Sequence, residues 1–366
     1  MKVVFLLTAH AADDERVRHH QLPSLRARGA EVTVVAPRAG LDPDASDIIY
    51  HAKPTRARTV QHVASLLKPL HPDVIVGDTP MALRCALRYR REQRTDCCII
   101  YDITEWYPSK KNVRNLSAVR KVLKFMAMSC LNAWTNLFTD GFIFGETYKA
   151  RPFLRLFPHR PFVLTSYYPD LQFINMQEPR TLENDLHLFY SGSLTEEKGF
   201  FRVVEAAKIV AARHPNMSVS LKVLSSDHLA AALDLPSNLK IEVSPYVPFR
   251  QFCQVAAEHD LFLDLRSTDI ENQHCLPIKL FYYMAMGRPV IYSDLKAIRQ
   301  GCPEIRQFGQ LVDPYETNKV ADSIDLYLRD DNLFQKHCAT ARKYAEQKYN
   351  WKAIENAFAR FILQHE

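Results

Sequence analysis

The chain has 366 residues, 47% hydrophobic and 24% charged, a balance that argues against disorder and supplies apolar surface for two domains of ordinary size. The net charge of +6 is a mild basic excess suited to anionic small molecules or a membrane surface. With no zinc-finger spacing, no RNP-like string and no basic tail, it points away from nucleic acid.

Residues 2–7 form an apolar run too short for a signal-peptide core, and no window approaches 18 apolar residues. A buried first strand, no transmembrane helix and a cytoplasmic location are expected. Eight scattered cysteines without a CxxC pair fit free thiols in a reducing compartment. After the first strand, helical spacing over 15–28 stops at Gly29, and 31–36 is a second strand closed by Pro37. A helix over 59–69, a strand over 73–76, a helix over 80–93 and a strand over 97–101 follow. The alternation then restarts with strands over 187–190, 218–224, 240–243, 261–265 and 290–292, and helices over 199–213 and 277–286. Helices over 316–330 and 333–364 end the chain. Strands separated by helices of this length mean parallel βαβ units. Two such runs predict two Rossmann-like doubly wound α/β domains facing a cleft, with ligands at the strand ends. The expected division is 1–165, 166–345, and a terminal helix over 346–366 that folds back to the first domain.

Two strand-end loops carry chemistry. Tyr190-Ser191-Gly192-Ser193-Leu194-Thr195-Glu196-Glu197-Lys198-Gly199 joins a strand to a helix and holds two glycines and a lysine. Free N–H groups at the helix start and the charge of Lys198 favour a phosphate, although the spacing is neither a Walker A loop nor GxGxxG. The second loop opens at His274 and runs through Pro277, a candidate first helical residue, to Gly287, a candidate helix cap.

The second segment, LPIKLFYYMAMGRPVIYSD over 276–294, resembles the donor-site signature of family 4 glycosyltransferases of the GT-B type. The 190–199 loop resembles that family's G-R-L-x-x-x-K-G loop. Asp13–Val17 with Gly29–Val35 resembles its acceptor-side opening, and Asp102–Pro108 is similar to its D-x-H-E-x-Y-P segment. The resemblance implies a retaining, metal-independent transferase, with the first domain for acceptor and the second for a UDP- or GDP-linked sugar. No separate cofactor is implied, and no convincing DxD-like loop offers a metal site. The donor would touch Gly192, Ser193, Lys198, His274, Pro277, Lys279, Leu280 and Tyr282, while Lys198, Thr104 and Glu105 would serve catalysis. Departures from the pattern are plain. The two E-x7-E positions are His274 and Tyr282, the loop arginine is Ser193, and the histidine beside the reacting bond is Thr104. Tyr282 is expected to stack on or hydrogen-bond the nucleotide.

Residues 110–138 place Lys110, Lys111, Arg114, Arg120, Lys121 and Lys124 ahead of an apolar, aromatic run. Such a segment suits an anionic membrane as well as a solvated helix face. The combined reading is a glycosyltransferase acting on a glycan or lipid-linked acceptor in cell-envelope polysaccharide assembly, with residues 110–124 peripheral on the membrane's inner face. A catalytically degenerate GT-B binding partner and a nucleotide-sugar epimerase are the alternatives; the epimerase needs a carboxylate and histidine set that the sequence does not reveal.

Overall fold

A computed structural model describes residues 1–37, 47–54, 57–113, 116–174, 176–229 and 232–364. The chain divides into two compact units, residues 1–167 with 354–366, and residues 168–353.

Unit 1 runs β1 (Lys2–Leu6), α1 (Leu22–Arg26), β2 (Glu31–Pro37), β3 (Ile48–His51), α2 (Ala57–Leu66), β4 (Val74–Gly77), α3 (Pro80–Gln93), β5 (Cys98–Ile103), α4 (Ala118–Leu137), β6 (Gly141–Phe144), α5 (Thr147–Leu156) and β7 (Phe162–Leu164). The sheet order is β3-β2-β1-β4-β5-β6-β7, and every pairing is parallel. Central strands such as Val-Ile-Val-Gly of β4 are buried on both faces, as parallel strands covered by helices must be. The helix expected over 15–28 begins as a π-helical segment, Arg16–Gln21, that runs into α1. Gly29 ends it at φ 82°, a left-handed position natural to glycine. Strands β3, β6 and β7 and helix α5 add to the elements expected from sequence; β3 and β7 are the sheet's edges.

Unit 2 runs β8 (Asp185–Ser191), α6 (Phe200–Arg213), β9 (Ser218–Leu224), β10 (Leu239–Ser244), α7 (Phe249–Ala257), β11 (Leu261–Asp264), α8 (Ile270–Gln273), α9 (Ile278–Ala285), β12 (Val290–Ser293), α10 (Lys296–Gly301), β13 (Gly309–Val312), α11 (Thr317–Arg329) and α12 (Asp331–Gln347). Its parallel sheet is ordered β10-β9-β8-β11-β12-β13, so the order reverses between β8 and β11. The last helix, α13 (Trp351–Leu363), continues into unit 1 from Ile354. The single helix expected over 333–364 is therefore two. Asn350 separates them: its amide donates to Ala345 and Glu346 carbonyls at 2.9 Å, and its Oδ1 accepts from Ala353 N at 3.0 Å.

Candidate functional site

In unit 2 the reversal point brings the loop after β8 against the loop after β11. Gly199, just before α6, has φ 80°, and a Cβ built there would lie 1.9 Å from the Leu265 carbonyl oxygen. Only glycine admits this approach of two main chains. Ser267 N donates to Glu197 O at 2.8 Å, and Leu194 N to the Asp227 carboxylate at 2.8 Å, so the loop is tied on both sides. Helix α6 starts without a side-chain cap. Lys198 is half-buried beside Glu197 at 3.1 Å, and Lys279 in the first turn of α9 donates to Ser191 O at the end of β8.

These cations surround Asp264, the last residue of β11. Arg266 clamps its carboxylate with two parallel hydrogen bonds, Nε to Oδ1 at 2.8 Å and a second from its other nitrogen to Oδ2. Burial alone would push Asp264 up. The charge and hydrogen bonds of Arg266, with Lys279 and Lys198, instead hold it below the usual carboxylate range. Lys198 is shared with Glu197 and Arg266 is committed to Asp264, so these strand ends hold three fixed cations whose charge a diphosphate could engage. Arg266 was not singled out by sequence reasoning; its only signal was a basic residue one step past an apolar strand.

In unit 1 the sheet order reverses between β1 and β4. Asp78, directly after β4, accepts hydrogen bonds from Thr8 N (2.9 Å), Ala9 N (3.0 Å) and His10 N (3.1 Å), and lies 2.9 Å from His10 Nδ1. A second polar group sits at the C-terminal end of β5. Asp102 faces Arg16 at 3.5 Å, Gln21 Nε2 at 3.2 Å and the Tyr167 hydroxyl at 3.3 Å, while Arg16 also pairs with Asp14 at 3.0 Å. Burial outweighs these partners and raises Asp102 above the usual range. Thr104 is half-buried, and its carbonyl accepts from Lys149 Nζ at 2.8 Å; Glu105 is exposed. A histidine–carboxylate pair is present in unit 1, at His10 and Asp78.

Residues 185–330 match the family described as Glycosyl transferases group 1. Solved structures with the same architecture include a sucrose-phosphate synthase from Thermosynechococcus elongatus (TM-score 0.73, 14% identity, covering 100% of this chain and 99% of that one). Another is Anabaena HepE in complex with UDP-glucose (0.69, 15%, 98% of each chain). A third is WaaG, a glycosyltransferase involved in lipopolysaccharide biosynthesis (0.68, 16%, 99% of each chain). Residues 185–330 thus resemble group 1 glycosyltransferases, and the chain shares the GT-B fold of these structures. A search of curated protein sequences finds no match.

Within this GT-B chain the signature helix α9 is mostly core. Leu280 is fully buried, and Tyr282 is 2% exposed with its ring edge-on to Phe249 at 5.6 Å. The expected stacking of Tyr282 on a nucleotide is not what its placement offers: every residue from Leu280 to Ala285 is buried, so α9 has no polar stripe to present. Pro277 stands at the N-cap, one position earlier than expected, and Gly287 follows the helix at φ 67°. His274 ends the short helix α8, and burial with Lys296 lowers its pKa. Gly192 and Ser193 lie at the end of β8, where the Tyr190 hydroxyl donates to Ser193 O at 2.8 Å. The eight cysteines are free thiols. Among the described residues no cluster of three or more metal-ligating side chains occurs, and no helix is long and apolar enough to cross a membrane.

Helix α4 is an inverted helix. Its buried side, marked by Thr135 and Asn136, packs toward α3. The opposite side exposes Val119, Val122, Leu123, Met126, Trp134 and Leu137 at helical spacing, each between 45% and 70% accessible. Arg120, Lys121 and Lys124 flank this stripe, and no acidic residue occurs between Glu105 and Asp140. Arg114 lies outside the described residues, and of Lys110 and Lys111 only the backbone is described.

Proposed function

We propose that the chain is a hexosyltransferase-type glycosyltransferase that takes its sugar from a nucleotide-sugar donor held by unit 2. The observation that carries this reading is the cation set of Lys198, Lys279 and Arg266 at the β8/β11 reversal, inside the segment that matches the group 1 family. A departing nucleoside diphosphate gains negative charge as the glycosidic bond to the sugar breaks. Preorganised lysines and the uncapped start of α6 stabilise that charge without reorganisation, so the reaction needs no metal. Retention at the anomeric carbon accompanies this reading through the family resemblance. HepE, which shares the fold, was crystallised with UDP-glucose, so UDP-glucose is the first donor to offer. The test is a thermal-shift screen of UDP-, GDP-, ADP- and dTDP-sugars, followed by a hydrolysis assay on any that bind. A native-state ligand at one hundred times its Kd stabilises by about 2.7 kcal/mol. No shift with any of the four would leave the non-catalytic reading standing.

The acceptor side of this proposal is a lipid-linked glycan at an anionic membrane, in keeping with envelope polysaccharide assembly. Helix α4 supports it: an outward apolar stripe about 30 Å long, at about 1.5 Å per residue, with cations and no acids, suits a helix lying in a headgroup layer. Each basic residue near such a surface contributes about 1 kcal/mol.

A further inference from the structure

The His10–Asp78 pair is not absorbed by the donor chemistry. Asp78 is buried, and its carboxylate is saturated by three backbone N–H groups, the Thr8 hydroxyl at 3.3 Å and His10 Nδ1. Burial opposes its ionisation, but the His10 and backbone hydrogen bonds hold it below the usual carboxylate range. A carboxylate can only accept, so His10 Nδ1 carries the proton, and the neutral ring presents the Nε2 lone pair. That nitrogen has no hydrogen-bond partner among the described residues, and the side chain is 24% exposed. His51, which ends β3, shows the contrast: its two nitrogens lie 2.8 Å from the carbonyls of Ala52 and Leu7.

Holding the loop does not explain the imidazole. The three backbone donors bind Asp78 whatever side chain stands at residue 10. The ring adds one thing, an acceptor nitrogen of fixed tautomer at the reversal point of the sheet, where open α/β sheets take ligands. We propose that His10 is a saccharide-binding residue of unit 1, its Nε2 accepting a hydrogen bond from a hydroxyl of the acceptor sugar. The word acceptor rests on the transferase reading; the hydroxyl site does not. Thr104, where the family resemblance expects a histidine, provides no imidazole, and His10 supplies one two strands away in the same sheet.

Binding requires the neutral ring. Burial lowers the His10 pKa, and Arg16 lowers it further; the Asp78 hydrogen bond, with Asp14 and Asp78 charge, outweighs both, so the net shift is upward. Acceptor affinity therefore falls as pH drops through a value above the ordinary histidine range.

The experiment compares wild type, His10→Ala and His10→Gln, each checked for an unchanged melting temperature. With UDP-glucose and simple alkyl glycosides, His10→Ala is expected to raise acceptor KM roughly three- to tenfold, the equivalent of one hydrogen bond, with UDP-glucose affinity measured by calorimetry unchanged. His10→Gln recovers part of the loss and removes the pH dependence of KM. An unchanged acceptor KM in His10→Ala overturns the inference while leaving the transferase reading intact. If wild type neither binds nor hydrolyses any nucleotide-sugar, the transferase reading fails separately. The site is then decided by 15N NMR of the histidine rings titrated with the same glycosides. A glycoside-dependent shift of His10 Nε2 supports it, and an unmoved resonance or a protonated Nε2 tautomer overturns it.

Discussion

Replacing Gly199 by alanine tests whether close main-chain approach builds the loop between β8 and α6. The left-handed conformation at φ 80° costs an L-residue roughly 1–2 kcal/mol. The added Cβ would also lie 1.9 Å from Leu265 O, 2.2 Å from Leu265 C and 2.8 Å from Arg266 N. Relieving that overlap to van der Waals contact needs a main-chain displacement of about 1.5 Å. The bonds first lost are Ser267 N to Glu197 O and Gly199 N to Thr195 O, each worth about 0.5–1.5 kcal/mol. The expected loss is about 2–5 kcal/mol. Gly287→Ala is the matched control in the same unit: φ is 67°, but the nearest atoms stand at 3.5–3.6 Å, so it loses only the conformational term of roughly 1–2 kcal/mol. Denaturant titration measures both, and peptide-level hydrogen exchange across β11 and the start of α6 locates the damage. Equal losses in the two variants, or wild-type protection of β11 in Gly199→Ala, would refute the reasoning.

Lys198→Ala is expected to weaken UDP-glucose binding about tenfold, toward the low end for a charged contact because the side chain is partly exposed and shared with Glu197; calorimetry showing equal affinity would make Lys198 a solvated loop residue. Arg266→Met leaves the Asp264 carboxylate buried and unpaired, a loss of about 3–5 kcal/mol that Asp264→Asn should partly restore in the double variant; a loss under about 1 kcal/mol in denaturant titration contradicts this. Burial lowers His20 to about 3 and His259 to about 4, so between pH 6.5 and those values the unfolded chain binds more protons than the native one. Stability should accordingly decline as pH falls from 6.5 toward 4. His259→Asn should flatten that decline in a melting series, and an identical slope would show that His259 does not contribute. Leu123→Glu, at 62% exposure, should leave stability unchanged yet cut sedimentation with phosphatidylglycerol vesicles at low salt by tenfold or more, about the worth of one buried leucine; equal sedimentation of variant and wild type, or none of either, removes α4 from the membrane.

Much of the architecture was legible because parallel strands buried on both faces read as unbroken apolar runs, as in Val-Ile-Val-Gly of β4 and Leu-Phe-Leu-Asp of β11. Edge strands β3 and β7 were not, since half-exposed residues such as Phe162 and Leu164 give no such run. The signature motif did not reveal that Tyr282 is buried, because a motif marks positions without saying which way a largely apolar helix turns them. His10 and Asp78 stand far apart in sequence and meet only because β1 and β4 are neighbours across the sheet reversal. The spacing over 118–137 displays an apolar stripe; only packing shows that the stripe faces away from the unit's core.

Helix α4 is held chiefly at its C-terminal end, with Lys124 Nζ donating to the Asn112 carbonyl at 2.6 Å nearer its start. Arg90 donates to the Phe138 carbonyl at 2.8 Å and Arg160 to the Leu137 carbonyl at 3.1 Å, while residues 117–127 are exposed without interruption. Support that fades toward the N-terminus gives a gradient of local opening, with amide protons near Val122 exchanging faster than those near Thr135. Uncovered, the stripe makes the molecule colloidally sticky, so the isolated protein should self-associate as its concentration rises and disperse in mild detergent.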